Sequence, residues 1–278
     1  MKFRFYSYAV SLTLLIISLV FLQVRGLNLG IDFTGGTILE VAYKAKVSTE
    51  QVRQALQKEG LNPHIQNTAS GSFLIRLKLG EDPQRALTSL KSLGDYSLIR
   101  QDTIGSVISS ELRSKAIWSV LVALGGITVY LTYRYKLLWA FAGLVALFHD
   151  VIIVLGAYAI TQREVNLDVI ASLLVVAGYS VTDTVVIYDR MRENLRIRKS
   201  LPLRDLINIS VNQNLARTLM TSMTVFVVAL AMFLFGGSAL SNVMFAFVVG
   251  VVVGTLSSIF VASSLILDIT RFKFFRGR

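Results

Sequence analysis

Between Val169 and Tyr188 an apolar run contains a single carboxylate, Asp183, and the basic flank DRMRENLRIRKS follows from Asp189 to Ser200. An ionised carboxylate in hydrocarbon costs at least about 2.5 kcal/mol, so it must be protonated, paired or beside a wet cavity. Exchange among those states is proton binding and release. Asp183 lies roughly 7 Å from the middle of the run, too deep for so short a side chain to snorkel. On a helix Tyr179 and Ser180 lie one turn before it on the same face, with Ser172 two turns before Tyr179. That polar stripe must face protein or water. His149 and Asp150 fall near the middle of another apolar run, where an imidazole and a carboxylate could relay protons or hydrogen-bond neighbouring helices. Adjacent helical residues project about 100° apart and are not expected to form one site, which favours helix packing. Arg217 begins a further run, with Thr221 and Thr224 at i+4 and i+7, and the alternative for it is an interface anchor.

The same inventory sets other chemistry aside. Without cysteine there are no disulfides or thiolate metal sites, and the lone His64 reads as a surface or turn residue. No metal or bound cofactor is expected. LNLGIDFTGG (Leu27 to Gly36) has three glycines, but no Lys-Ser/Thr and no helix start follow it, so it suits a sharp turn or close backbone packing better than a phosphate loop. Neither a nucleotide loop nor a nucleophile and base pair is visible, so no enzyme is expected. The +11 net charge sits largely in short segments flanking apolar runs, which topology explains without nucleic acid.

These residues need helices to hold them. With 54% hydrophobic and 16% charged residues, the chain is too apolar to hide its surface in one core, and the lipid bilayer is its solvent. Six apolar runs are long enough to cross: Phe5 to Val24, Ala116 to Tyr133, Leu137 to Ile160, Leu167 to Tyr188, Leu219 to Phe235 and Val243 to Leu267. The first is longer than a cleavable signal core and reads as a retained helix. Lys2, Arg4, Arg134, Lys136, Arg190, Arg192, Arg196, Arg198, Lys199, Arg204, Arg271, Lys273, Arg276 and Arg278 fall on the side of the termini, against Arg163 in the opposing short loops. Both termini are therefore expected in the cytoplasm. The segment Leu203 to Leu215 is expected along the cytoplasmic interface. In the sixth helix Ala246, Gly250, Gly254, Ser258 and Ala262 recur every fourth residue, a smooth face suited to close helix packing and a candidate contact for a partner chain.

From Leu27 to Lys115 the pattern is that of a folded extramembrane domain. TILEVAY alternates as a strand, Ser48 and Gln51 form a capping-box pattern, and Gly60 ends the helix. A strand at His64 to Asn67, a turn at Ala69-Ser70-Gly71, the strand SFLIRLK, a helix from Pro83 to Leu93 and the strand YSLIRQDTI follow. The order βαββαβ suggests a ferredoxin-like split βαβ module. The expected fold is an α-helical polytopic membrane protein of six transmembrane helices, with a small α+β ferredoxin-like extracytoplasmic domain between helices one and two. Its parts are 1–26 (N-terminus and helix one), 27–115 (outer domain) and 116–278 (helices two to six with basic cytoplasmic loops).

LGIDFTGG (Leu29 to Gly36), ELRSKA (Glu111 to Ala116), the His149-Asp150 pair, GYSVTDTVVIYDRMREN (Gly178 to Asn194) and NQNLARTLMTS (Asn212 to Ser222) carry a resemblance over essentially the whole chain. The chain resembles the SecF family, the smaller subunits of bacterial SecD–SecF protein-export complexes, relatives of the resistance, nodulation and division transporters. The resemblance implies proton-driven assistance to secretion, with protons as coupling ion, and places Asp183, the acid of the D-T-V-V motif, and Arg217, after N-Q-x-L, in the proton path. Tyr179, Thr182, His149 and Asp150 would line that path or pack helices. Thr182 stands where the family commonly has Asn, and Ser106 where Pro is common. Implied partners are a SecD-like membrane subunit, the Sec translocon channel and an unfolded secretory polypeptide, at the bacterial inner membrane.

Two alternatives stand beside the export subunit: half of a proton-coupled small-molecule exporter, and a scaffold whose buried polar groups only pack helices. The outer domain of roughly 90 residues is small for a drug-collecting porter. Topology is testable because the background lacks cysteine. Single cysteines at Ser70 and Ser200 should react with an impermeant thiol reagent in intact cells only at Ser70; labelling at Ser200 alone would invert the orientation.

Overall fold

The computed structural model describes residues 4–68 and 71–271. Lys2, Lys273, Arg276 and Arg278, counted above, and the turn residues Ala69 and Ser70 lie outside the described residues. In chain order the elements are α1 (Arg4–Val24), β1 (Asn28–Leu29), α2 (Ile31–Thr34), β2 (Gly36–Tyr43), α3 (Thr49–Lys58), β3 (His64–Asn67), β4 (Phe73–Leu77), α4 (Pro83–Lys91), β5 (Tyr96–Ile104), α5 (Ser106–Arg134), α6 (Leu137–Thr161), β6 (Glu164–Val165), α7 (Leu167–Ile197), α8 (Leu203–Phe235), α9 (Gly237–Leu256), a π-helical turn (Ser257–Ala262) and α10 (Ser263–Arg271). Two compact units emerge: a bundle of residues 1–28, 119–164 and 168–278, and a small α/β unit of residues 29–118 and 165–167.

In the small unit β2 pairs antiparallel with β4 on one side and β5 on the other, and β3 closes the edge beside β4. This order is compatible with a ferredoxin-like split βαβ module. Alternating side chains of the strands, Leu39, Val41, Ile75 and Leu77, meet Val52 and Leu56 of α3 and Ala86 and Leu90 of α4 in one buried core. The local signals act as expected. Ser48 caps α3 with a reciprocal Gln51 bond, Asp82 caps α4 ahead of Pro83, and Gly60 follows α3 at φ 76°. The paired glycines have different tasks. Gly35 ends α2 in the left-handed region, and Gly36, at φ 126°, lies so close to the Leu77 carbonyl that a Cβ would collide with it. In this unit the Gly30 N–H donates to the Val165 carbonyl (2.8 Å), and the Asp32 carboxylate accepts from the Leu167 N–H (2.9 Å).

Among the described residues six helices are long and apolar enough to cross a membrane. The membrane-length stretches of α1 and α5 are exposed along nearly all their surface, whereas α6, α7 and the last span are about half buried in the protein. Between membrane helices apolar burial supplies little drive, so close packing and hydrogen bonds decide the contacts. The smooth face of the sixth span is spent here. Ala246, Gly250, Gly254, Ser258 and Ala262 are all buried, and a Cβ on Gly250 would collide with Val176 of α7 while one on Gly254 would lie 3.1 Å from Ser180. The expectation that this face meets a partner chain is therefore corrected: its small residues bring α9 against α7 of the same chain.

Two more expectations change. Leu203 to Leu215 is not a separate interfacial segment, because neither Pro nor Gly interrupts the chain from Leu203 to Phe235 and α8 runs unbroken for 33 residues after Pro202. Its first turns are bound to the end of α7: Asn194 donates to Ser210 Oγ and Gln213 Oε1 (2.9 Å each), and Arg190 Nε donates to the same Gln213 oxygen (2.7 Å). The sixth span is also not a uniform helix, since the π turn at Ser257–Ala262 separates α9 from α10.

Overpacking a tight contact costs roughly 1–3 kcal/mol, and more where backbone must move. Gly250→Leu should lower the thermal denaturation midpoint of the chain purified by itself. A midpoint unchanged without a partner present would return this face to the role of an external interface.

Candidate functional site

The helix α7 is central to the site because three of its faces meet three neighbours. Ser180 turns towards α6 and the sixth span, Tyr179 towards α8, and Asp183 follows Ser180 by one turn. Asp183 is buried, and its Oδ2 has no hydrogen-bond partner among the described residues. Its Oδ2 is thus a buried acceptor awaiting a donor. Thr182 is exposed and its hydroxyl closes on the Gly178 carbonyl (2.9 Å), so it does not reach towards Asp183. Tyr179 does make a connection: its hydroxyl donates to Ser222 Oγ of α8 (2.8 Å), which in turn shares a hydrogen bond with Thr255 of α9 (2.7 Å).

Arg217 lies well inside α8 and not at a helix start, because α8 begins at Leu203. It is exposed, and among the described residues it forms no ion pair with Asp183, although its charge acts on that carboxyl. Its hydroxyl neighbours on α8 turn to their own backbone: Thr221 donates to the Arg217 carbonyl (3.1 Å) and Thr224 to that of Met220. Thr218 Oγ1, next to Arg217, is buried without a partner. An exposed guanidinium on a membrane-length helix requires a protein partner or water over it.

His149 and Asp150 form one site after all. His149 Nδ1 lies 3.0 Å from Asp150 Oδ1, while Asp150 Oδ2 accepts from Ser180 Oγ (2.6 Å) and Ser257 Oγ (2.7 Å). The 100° separation of their Cβ vectors is overcome because the imidazole is long enough to fold back onto its neighbour. Ser257 and Ser222 were missed by the sequence reasoning. Both are small residues in apolar helices; Ser222 is marked only by its i+4 spacing from Thr218, and no spacing marks Ser257. His64 stands apart at the start of β3, where partial burial and the charges of Arg76 and Arg53 hold its imidazole below the ordinary histidine range.

A six-span bundle with a buried acid on its central helix, and a split βαβ domain inserted after the first span, defines a polytopic membrane protein of transporter type. The family described as protein export membrane protein SecD/SecF, C-terminal, matches residues 85–271, and the SecD/SecF GG motif matches residues 20–47, which include Gly35 and Gly36. The protein translocase subunit SecF of Desulfurispirillum indicum is 37% identical over 96% of this chain and 90% of its own length. That of Haemophilus influenzae is 36% identical over 97% and 85%. Among solved structures, SecDF of Thermus thermophilus, described as a translocon-associated membrane protein, matches with a TM-score of 0.90 at 35% identity, and SecDF in a super-membrane-facing form with 0.72 at 33%. The chain covers 38% of each of those solved chains and 97% of itself is covered. The chain belongs to the SecF family of protein translocase subunits.

Each hydroxyl satisfies part of the buried Asp150 carboxyl, and leaving that group short of a partner costs about 1–3 kcal/mol. Ser180→Ala and Ser257→Ala should each lower the denaturation midpoint of the purified chain, and the double variant should lose more than the sum, because either hydroxyl covers the shared oxygen when the other is gone and only the double variant leaves it bare. Additive or negligible losses would mean that the hydroxyls do not share Asp150 in solution.

Proposed function

We propose that this chain couples proton movement across the bacterial inner membrane to polypeptide export through the Sec pathway, as the partner of a SecD-like subunit. The observation that carries the reading is Asp183: a buried carboxyl with an unpartnered oxygen on the central helix α7, within electrostatic reach of Arg217 on α8. Two influences compete on it. Hydrocarbon disfavours its charge, and a nearby guanidinium favours it. Moving Arg217 nearer or farther shifts the balance, so protonation of Asp183 and the packing of α7 against α8 depend on each other. Each proton falling through the membrane potential supplies about 2.3 kcal/mol per 100 mV, enough over a cycle to bias two packings.

The exposed Arg217 supports the partner. A second six-helix chain lying over α8 would cover the guanidinium and complete a water-filled path between halves. The solved relatives carry SecD and SecF names together, which supports a SecD-like chain in that place, and the two SecDF forms support a cycle between arrangements. With the termini in the cytoplasm, the small α/β unit, inserted between α1 and α5, stands outside, where it would hold or release an emerging chain delivered by the translocon. The residues supply charge and hydrogen bonds rather than covalent chemistry, so the role is that of a non-enzymatic subunit with protons as its coupling ion. The small-molecule exporter is not favoured, because the similar proteins named above are translocase subunits.

Asp183→Asn should leave assembly intact and abolish the gradient-dependent part of export into membrane vesicles, compared at equal amounts of assembled complex. Arg217→Lys should be impaired as well, because a compact ammonium does not reproduce the planar guanidinium. A full response to the gradient in the Asp183→Asn variant would make Asp183 a packing residue and sink the coupling role.

A further inference from the structure

The groups around Asp150 are arranged to hold a proton between them. Its Oδ2 lies 2.6 Å from Ser180 Oγ and 2.7 Å from Ser257 Oγ, and its Oδ1 faces His149 Nδ1 at 3.0 Å. When Asp150 is ionised, both of its oxygens accept and Nδ1 carries the ring hydrogen facing it. The remaining ring nitrogen, His149 Nε2, is then a bare lone pair. It is buried with no hydrogen-bond partner, on a side chain only 10% exposed. A buried, oriented and unsatisfied acceptor held by a fully satisfied carboxylate is the arrangement in which a histidine takes up a proton at its far nitrogen.

We propose that His149 Nε2 is a second proton-binding site of the membrane bundle, with Asp150 as its positioning residue. The proposal deepens the proton-coupling role above and rests on it for its part in export. The step is simple: a proton delivered by water forms the Nε2–H bond on the ring lone pair, no other bond breaks, and the net charge of the pair goes from −1 to 0. The Nδ1–H···Oδ1 bond persists in both states. The elements packed on α6 present hydroxyls to the dyad, Ser180 from α7 and Ser257 from the π turn. The other ionisable groups on α6 and α7 are Tyr158 of α6, Tyr179, Asp183 and Tyr188 of α7 near the dyad, and Asp168 and the run Asp189, Arg190, Arg192, Glu193 and Arg196 at the two ends of α7, while α1 and α10 add Arg4 and Tyr8, which both meet Asp268.

Two features connect the site to the helix that carries Asp183. Ser180 belongs to α7, so the charge of the dyad acts on α7 through a direct hydrogen bond. Ser257 opens the π turn, and irregular turns of this kind inside long helices concentrate at functional sites. A change of charge on the dyad therefore acts at once on the two elements whose packing the glycines of α9 bring together.

The chain has two histidines, so the test can be read directly. In the full chain reconstituted in lipid nanodiscs, with His64→Gln and nitrogen-15 histidine, His149 should show Nε2 gaining a proton as pH falls across the range in which the chain stays folded, while Nδ1 stays protonated throughout. An Nε2 that keeps one state over that range, or a ring that titrates at Nδ1, overturns the proposal. His149→Gln keeps a donor for Asp150 but cannot bind the proton; it should assemble normally and lose the gradient-dependent part of export by about tenfold or more. Normal gradient response in His149→Gln removes the site from the path. Titration of Nε2 together with a fully gradient-responsive Asp183→Asn variant upholds the proton site while overturning the Asp183 coupling, so the two failures are separable.

Discussion

A carboxylate in a membrane bundle has to find all its donors inside the protein, and Asp150 shows what that demand does to the fold. Its three hydrogen-bond neighbours come from α6 itself, from α7 and from the sixth span, so those elements cannot separate without leaving a buried carboxyl unpaired in hydrocarbon. The distance over which a serine hydroxyl reaches is short. It is met only because Gly250 and Gly254 let α9 approach α7 until side chain touches backbone. Small residues and buried charge are thus one device: the glycines set the spacing and the carboxylate holds it.

Around this fixed point the chain keeps groups that are not satisfied. In the bundle Asp183 Oδ2, Thr218 Oγ1, His149 Nε2 and the Tyr188 hydroxyl are buried without a partner among the described residues. A stable core pairs its polar atoms; one that must change protonation cannot pair every one of them in each state. Asp150 has a hydrogen-bond neighbour on each oxygen and so helps to organise the helices, whereas Asp183 has none on Oδ2 among the described residues.

Much of this was legible in the residues. The strand and helix signals of the small unit, Ser48 with Gln51, Asp82 before Pro83, and Gly60, are local chemistry and act within a turn of chain, so they appear in the structure as read. The buried position of Asp183 was equally legible, because one carboxylate in an apolar helix has few physical options. What the sequence hid is longer in range. Ser222 and Ser257 look like small residues until the helices that they bridge are placed, and the partner of a smooth glycine face cannot be read from the face. The unbroken α8 was obscured by a polar first half, Leu203 to Leu215, whose hydrophilic residues resemble an interfacial loop although no breaker stops the helix.

The lengths of α7 and α8 have a mechanical consequence. A span of the hydrocarbon needs about 20 residues, while α8 has 33 and α7 has 31, so each extends beyond the bilayer core by roughly 15–20 Å. The bonds of Asn194 and Arg190 to Ser210 and Gln213 tie those extensions together, making a stiff double lever whose fulcrum lies at the membrane surface. A tilt of about 10° in the spans would displace the tip of the hairpin by some 3 Å, on the order of a water diameter. A small change of tilt within the bilayer is thereby carried to the hairpin tip well beyond it.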